Sequence, residues 1–310
     1  MSDRKLHVII PYFNHTNARV SERNLELCLR NLSLNSDCRV VLVEGIWNRE
    51  AELPDYSDRI FRHLKFDLQS PIWVKENLIN LGIESLGEDW EFAAWIDKDI
   101  QFLNPDWAQE AMHKLQEVDI LQPWSRVLFL NSRYEVKDSS PNVQSLQKYQ
   151  GAGENGGLVS FSRALSYGDS NGGHPGNAWA VRKSFFKKIG GLFDQCIVGG
   201  GDSVLVACLD ALYKCRDPDR ASNFGVFLNE YTPRFRNVIA GWMDGTILHH
   251  HHGEMEKRNY LGRYGLLRKC GFNAESQLSY DANGTLKLTN DGLEKAILDF
   301  FLSREEHLIP

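Results

Sequence analysis

Phe92 to Ile96 is an apolar run with no polar residue in it, and it stops directly on Asp97-Lys98-Asp99. A strand without a polar face has to be covered on both sides, which is the position of an interior strand in a parallel sheet flanked by helices. The chain before it supplies the other parts of such a sheet. Leu6 to Pro11 reads as a buried strand stopped by a proline. Leu25, Cys28, Leu29 and Leu32 then recur at helical spacing, with Ser21 in the N-cap position. Arg39 to Val43 is a second strand, closing on Glu44-Gly45. Strand, helix, strand is the opening of an α/β fold with a mostly parallel central sheet.

The pattern continues beyond this opening. Trp73 to Leu86 puts Ile79, Ile83 and Leu86 on one helical face, and Asn104-Pro105 offers an N-cap and first-turn proline to a helix carrying Trp107 and Leu115. Asp119 to Trp124 is a further strand candidate. From Ser132 to about Gly176 periodicity fades, and the glycine-rich stretch Gly151 to Gly157 reads as a loop near the site. Regular structure resumes over Ala178 to Phe186. Gly199-Gly200-Gly201 is a turn, and Asp202 to Lys214 is helical by the spacing of Val204, Leu205, Cys208 and Leu212. Leu293, Ile297 and Phe300 mark an amphipathic C-terminal helix at about 290–305.

A net charge of −6 speaks against broad nucleic-acid binding, which uses a basic stripe, but leaves room for a small anion held by a few cations or a metal. The six cysteines contain no C-x-x-C pair, so neither a zinc ribbon nor a dithiol redox site is encoded. No apolar run approaches the ~20 residues that span a bilayer, and the first residues carry no signal-peptide pattern. A cytoplasmic location with no transmembrane segment is the expectation.

Three features carry chemistry. Asp97 and Asp99 stand two apart at the carboxyl end of a buried strand, where α/β sheets bind ligands, and paired hard oxygens suit Mg²⁺ or Mn²⁺. The same pair could be a polar turn. His249-His250-His251-His252-Gly253 offers imidazole ligands, of which strand alternation lets at most two share one ion, or is a solvated turn. Gly199-Gly200-Gly201-Asp202 permits close backbone approach and a general base at Asp202, or an N-cap aspartate after a flexible turn.

In order along the chain, Val8 to Asn14 (VIIPYFN), Trp73 to Ile83 (WVKENLINLGI) and Trp95 to Ile100 (WIDKDI) resemble the first strand, the pre-metal segment and the D-x-D of family-two GT-A glycosyltransferases. Gly176 to Asp194, then Gly199 to Asp202, resemble the C-terminal catalytic region of galactosyl- and N-acetylgalactosaminyl-transferases. Ile247 to Gly253, then Arg258 to Tyr264, is similar to the His-x-x-His-Gly segment that follows in related bacterial proteins. Two departures stand out. Glu44 replaces the family's usual aspartate, and Gly201 precedes Asp202 where many relatives have Gly-x-Glu-Asp.

The resemblance implies a GT-A nucleotide-diphospho-sugar transferase fold over 1–310, with a nucleotide-binding half at about 1–125, an acceptor and catalytic half at about 170–270, and the C-terminal helical extension. It implies a metal-dependent hexosyltransferase moving a hexose or N-acetylhexosamine from a UDP-sugar to a hydroxyl of a glycan or other acceptor. Asp202 would be the base of an inverting reaction. Pro11, Tyr12, Asn14, Glu44, Lys75, Asn80 and Asp97 would line the donor pocket, Trp179 would stack on a sugar, and Asp97, Asp99, His249 and His252 would hold Mn²⁺ or Mg²⁺. The rival readings are a non-catalytic carbohydrate- or nucleotide-sugar-binding protein of the same fold and a sugar-nucleotidyltransferase. The second lacks a glycine-rich phosphate loop after the first strand, where Pro11-Tyr12-Phe13-Asn14 stands.

Overall fold

The first strand, β1 (Leu6–Phe13), is buried almost throughout and lies between two parallel neighbours, β2 (Cys38–Ile46) and β4 (Phe92–Ile96). These come from a computed structural model that describes residues 4–48, 52–137, 174–209, 229–259, 262–289 and 291–309. Between β1 and β2 runs α1 (Arg19–Ser33), and between β2 and β4 lie β3 (Arg62–Asp67) and α2 (Lys75–Glu84). After β4 come β5 (Ile100–Phe102), α3 (Trp107–Lys114), β6 (Ile120–Gln122) and β7 (Arg126–Phe129). The later part supplies β8 (Ala178–Arg182), α4 (Lys183–Ile189), α5 (Gly201–Leu209), β9 (Ala240–Trp242), β10 (Thr246–His249), α6 (Arg263–Lys269) and the C-terminal α7 (Asp291–Leu302).

The central sheet runs β3-β2-β1-β4-β8-β6-β9. It is parallel from β3 through β4 and between β6 and β9, and β8 enters antiparallel to both of its neighbours. The expected mostly parallel α/β sheet with flanking helices is therefore the architecture observed. All five residues of β4 are buried, and Trp95 faces Trp179 of β8 across the ladder. Complete burial of such side chains contributes ~1.5–3 kcal/mol each, which explains why this strand tolerates no polar residue.

Several local expectations are corrected. β1 continues past Pro11 to Phe13, because its β4 partner ends at Ile9 and the missing N–H costs no ladder bond on that side. Ser21 lies inside α1, whose start is held instead by the Asn14 side chain accepting from the Ala18 N–H at 3.0 Å. Helix α3 begins at Trp107 rather than Pro105, and the Asn104 carboxamide accepts from Asp106 N at 2.9 Å. The glycine-rich segment Gly151 to Gly157, most of the Ser132–Gly176 stretch, and the end of the helix expected to reach Lys214 lie outside the described residues.

Helix α2 is brought unusually close to the sheet by Gly82. A Cβ there would stand 2.7 Å from Ile9 and 2.8 Å from Val43 side-chain atoms. That approach seats the first turn of α2, with Lys75 and Glu76 both buried, at the carboxyl end of the sheet. Among the described residues no helix is long and apolar enough to cross a membrane.

Candidate active site

The two aspartates after β4 part company. Asp97 turns toward α2, where the Lys75 ammonium lies 2.5 Å from Asp97 Oδ1 and donates to Asp202 at 3.0 and 3.2 Å. The Asp97 carboxylate also accepts from Asn177 N at 3.2 Å. Asp202 sits in the first turn of α5, and its carboxylate bonds to Lys75 rather than merely capping the helix. Burial opposes the Lys75 charge, but Asp202, Asp97 and Glu76 together raise its pKa above the ordinary lysine value. Burial lifts Asp97 to about 6, with Asp202 and Asp99 adding to the rise and Lys75 opposing it.

Asp99 turns the other way. Strand β10 pairs with β5 in a register that sets His249 opposite Ile100, and His250 N donates to Asp99 O at 2.8 Å. A β-pairing between distant segments thus delivers the histidine run to the aspartate. The strand ends at His249, and the turn closed by Gly253 (φ 120°) brings His252 back to the same place. His252 Nε2 lies 3.2 Å and His249 Nε2 3.7 Å from the Asp99 carboxylate. The other two histidines leave the group: His250 Nε2 meets Gln101 Oε1 at 2.9 Å, and His251 is half-buried with its carbonyl accepting from Asn24.

One ligand atom from each of Asp99, His249 and His252 lies within 4.8 Å of the others, and all three residues are buried. Burial lowers His249 well below the usual histidine value and takes His252 to about 4, so both imidazoles are neutral at physiological pH. Asp99, despite its burial, is held well below the carboxylate range by His249, His252, Lys98 and Arg258. Asp99 Oδ1 has no hydrogen-bond partner among the described residues. Two neutral imidazoles, an ionised carboxylate and one orphaned buried oxygen are the protonation and geometry a divalent cation requires. Asp97 is outside this group.

Other residues near the site were not singled out from sequence. His174, taken to about 4 chiefly by burial, feels Asp202, Arg258, Lys75 and Asp99 together. Arg258 is buried and its Nη2 stands 2.8 Å from His252 Nε2. Glu76 is buried with both carboxyl oxygens lacking a hydrogen-bond partner among the described residues, and burial, reinforced by Asp202, raises it to about 8. A Cβ on Gly201 would lie 2.3 Å from the Glu76 carboxyl, so Glu76 fills the space that a side chain before Asp202 would occupy. Glu76 and Asp202 line one narrow cavity of about 10 Å³, walled by Trp95, Leu192, Phe193, Leu205 and Tyr231. That is room for about one water or one hydroxyl.

The remaining expected donor residues are placed as follows. Pro11 and Tyr12 lie in β1, with Tyr12 buried, and Asn14 braces the turn into α1. Glu44 is buried on β2 and its Oε2 lies 2.7 Å from His63 Nε2. Asn80 is bonded at both ends of its amide to the backbone of Leu192, at 2.9 and 2.8 Å, fixing the turn after α4. Trp179 is a core residue, 1% exposed, whose indole N–H donates to Pro175 O at 2.8 Å. Its ring presents no open face to a sugar. The glycine turn before Asp202 does have a close neighbour: a Cβ on Gly200 (φ 105°) would stand 2.4 Å from the Tyr264 hydroxyl and 2.6 Å from Arg263.

No family model matches this chain, and no curated protein matches it. Among solved structures it is similar to residues 1–349 of TarS from S. aureus, at 15% identity and a TM-score of 0.43, over 66% of this chain and 54% of that one. This chain thus spans about half the length of that structure. It is also similar to the mannosyltransferase PcManGT from Pyrobaculum calidifontis, solved with GDP-Man and Mn²⁺, at 12% identity and a TM-score of 0.47, over 98% of this chain and 72% of that one. A third is glucosyl-3-phosphoglycerate synthase from Mycobacterium tuberculosis, solved with Mg²⁺ and UDP, at 11% identity and a TM-score of 0.39, over 92% of this chain and 87% of that one. The likeness concerns the path of the chain, and residue roles rest on the geometry above.

Proposed function

We propose that this chain is a metal-dependent glycosyltransferase of the GT-A type, which transfers a sugar from a nucleotide-diphosphate donor, with UDP as the first candidate, to an acceptor hydroxyl. The observation that carries the reading is the junction after β4. There a buried Asp99–His249–His252 group with an orphaned oxygen adjoins a Lys75-bridged pair of aspartates. Two imidazoles beside one carboxylate suit Mn²⁺ better than Mg²⁺, which prefers oxygen ligands. When bound, the ion supplies Lewis-acid neutralisation of the charge that develops on the departing diphosphate.

The chain's own residues do the rest. Lys75 is committed to Asp97 and Asp202, and Arg258, buried beside the metal ligand His252, is the cation assigned to the diphosphate. Lys75 fixes the Asp202 carboxylate toward the cavity it shares with Glu76. Asp202 takes the proton of the acceptor hydroxyl as its oxygen forms the bond to the anomeric carbon and the bond to the diphosphate oxygen breaks, which inverts the configuration. Glu76, kept protonated by burial, offers a hydrogen-bond donor and acceptor to the incoming acceptor from a helix distant in sequence. It thereby serves in place of the carboxylate absent at Gly201.

Incubation with a panel of UDP- and GDP-sugars plus Mn²⁺ tests the activity, since a transferase without its acceptor releases nucleotide by slow hydrolysis. Mn²⁺-dependent release from one donor, lost in Asp99→Asn, is expected. Tight donor binding with no release, even with a glycan panel present, would favour the non-catalytic binding protein.

A further inference from the structure

His252 is bracketed on both ring nitrogens. Its Nε2 faces Asp99 at 3.2 Å and accepts from Arg258 Nη2 at 2.8 Å, which places the ring proton on Nδ1, and Nδ1 lies 3.3 Å from Oε1 of Glu306, a residue of the short turn that follows α7. Glu306 is itself held: Arg304 Nη2 is 2.6 Å from the same oxygen, and the Glu306 side chain is largely buried. The segment carrying it packs directly on the histidine turn, since a Cβ on Gly253 would stand 3.3 Å from Glu306 Cγ and 3.7 Å from the Arg304 carbonyl. Glu305 turns the chain with a left-handed backbone (φ 56°), a conformation a glutamate adopts where its surroundings hold it, and its carboxylate pairs with Lys257. Arg304 also lies over the Trp73 ring at 6.0 Å, and Phe301 is 5.9 Å from His15.

We propose that the C-terminal segment Arg304–Leu308 is a working part of the metal centre, with Glu306 as the positioning residue for His252. The inference rests on the reading of Asp99, His249 and His252 as metal ligands. An imidazole presents a lone pair on one nitrogen only if the other carries the proton, and a carboxylate accepting at Nδ1–H selects that tautomer and fixes the ring plane. Glu306 does this for Nε2, the atom turned toward Asp99. The site is thereby closed by three remote segments: the end of β4, the turn after β10 and the chain's last turn. The last is the one whose removal leaves all three ligands in place.

The test is calorimetric titration of Mn²⁺ alone into the full chain, for wild type, Glu306→Ala, Glu306→Gln and Lys257→Ala, with melting curves in EDTA and in Mn²⁺. Removing an outer partner of a metal-bound histidine typically costs 10–100-fold in affinity, and Glu306→Ala is expected to lose about that. Glu306→Gln keeps an acceptor oxygen without the charge and is expected to recover part of the loss. Lys257→Ala breaks a tail contact without touching His252 and is expected to stay within about twofold. If Glu306→Ala folds poorly, the melting shift between EDTA and Mn²⁺ in Glu306→Gln reads the metal contribution separately. Wild-type affinity in Glu306→Ala, or an equal loss in Lys257→Ala, would overturn the positioning role alone. No Mn²⁺ uptake by the wild-type chain would overturn it together with the metal centre.

Discussion

Asp97 and Asp99 stand two residues apart and are built for different work. Around Asp97 the protein brings its own cation: Lys75 sits between Asp97 and Asp202 and offsets one of their two negative charges. Around Asp99 it brings two imidazoles that burial keeps neutral, and one carboxylate oxygen has no hydrogen-bond partner among the described residues. A D-x-D motif is therefore not one site with two ligands in this chain. In the function proposed above, one half positions a base and the other half, with His249 and His252, holds the cation.

The largest effect should come from the first half. Asp202→Asn removes the proton acceptor and is expected to lower transfer by ~10²–10⁴-fold while metal-dependent UDP binding stays within a few-fold of wild type, measured as kcat and Kd on the same preparation. An N-cap role alone would leave turnover near normal, because asparagine caps about as well as aspartate. Unequal division of the histidine run is the next expectation. His249→Ala and His252→Ala should each weaken Mn²⁺ by on the order of 100-fold or more, beyond the loss for an outer partner. His250→Ala and His251→Ala should change it little, and four equal small losses would return the run to a solvated turn.

Arg258→Ala sharpens the contrast from the ligand side. Losing one hydrogen bond to a charged group costs about 1.5–3 kcal/mol, so UDP affinity in Mn²⁺ is expected to fall about tenfold or more, with Mn²⁺ affinity alone not reduced. If Lys75 rather than Arg258 met the diphosphate, UDP binding in Arg258→Ala would be unchanged.

The smallest effect concerns pH. Glu76 is raised by burial from 4.5 to about 8, so the unfolded chain ionises it near pH 4.5 while the fold keeps it protonated. Its contribution to stability is full below that lower value and is lost as pH rises toward 8. Glu76→Gln, neutral throughout, should therefore gain melting temperature relative to wild type between pH 5 and 8 and gain no more above. A flat difference would mean that Lys75 outweighs burial and the neighbouring aspartates and lets Glu76 ionise in the fold.

How much of this was legible in the sequence depended on whether the signal was local. The apolar runs of β1, β2 and β4 and the helical spacing of α1 and α2 announce themselves, because burial on both faces or on one face leaves a periodic trace. β3, with a half-exposed Arg-His-Leu-Lys-Phe-Asp sequence, and the four-residue β7 leave none. Pro11 misled because its missing donor matters only where a neighbouring strand would accept it. At the site, the aspartates, the histidine run and Asp202 were visible as residue types suited to a chemistry. Their partition was not, since it follows from the register of β10 against β5 and from how closely Gly82 lets α2 approach. Glu76, His174 and Glu306 matter through contacts with remote segments, and Glu76 and Arg258, though they fall in stretches that the resemblance covers, carry no local mark of their roles.

The division between Asp97 and Asp99 is tested most directly by calorimetric titration of UDP in Mn²⁺ and in EDTA, for wild type, Asp99→Asn and Asp97→Asn. Wild type is expected to bind UDP tightly only with the metal, Asp99→Asn to lose that metal dependence, and Asp97→Asn to keep it. Equal UDP affinity in Mn²⁺ and EDTA for the wild-type chain, or loss of metal dependence in Asp97→Asn but not in Asp99→Asn, would contradict the account.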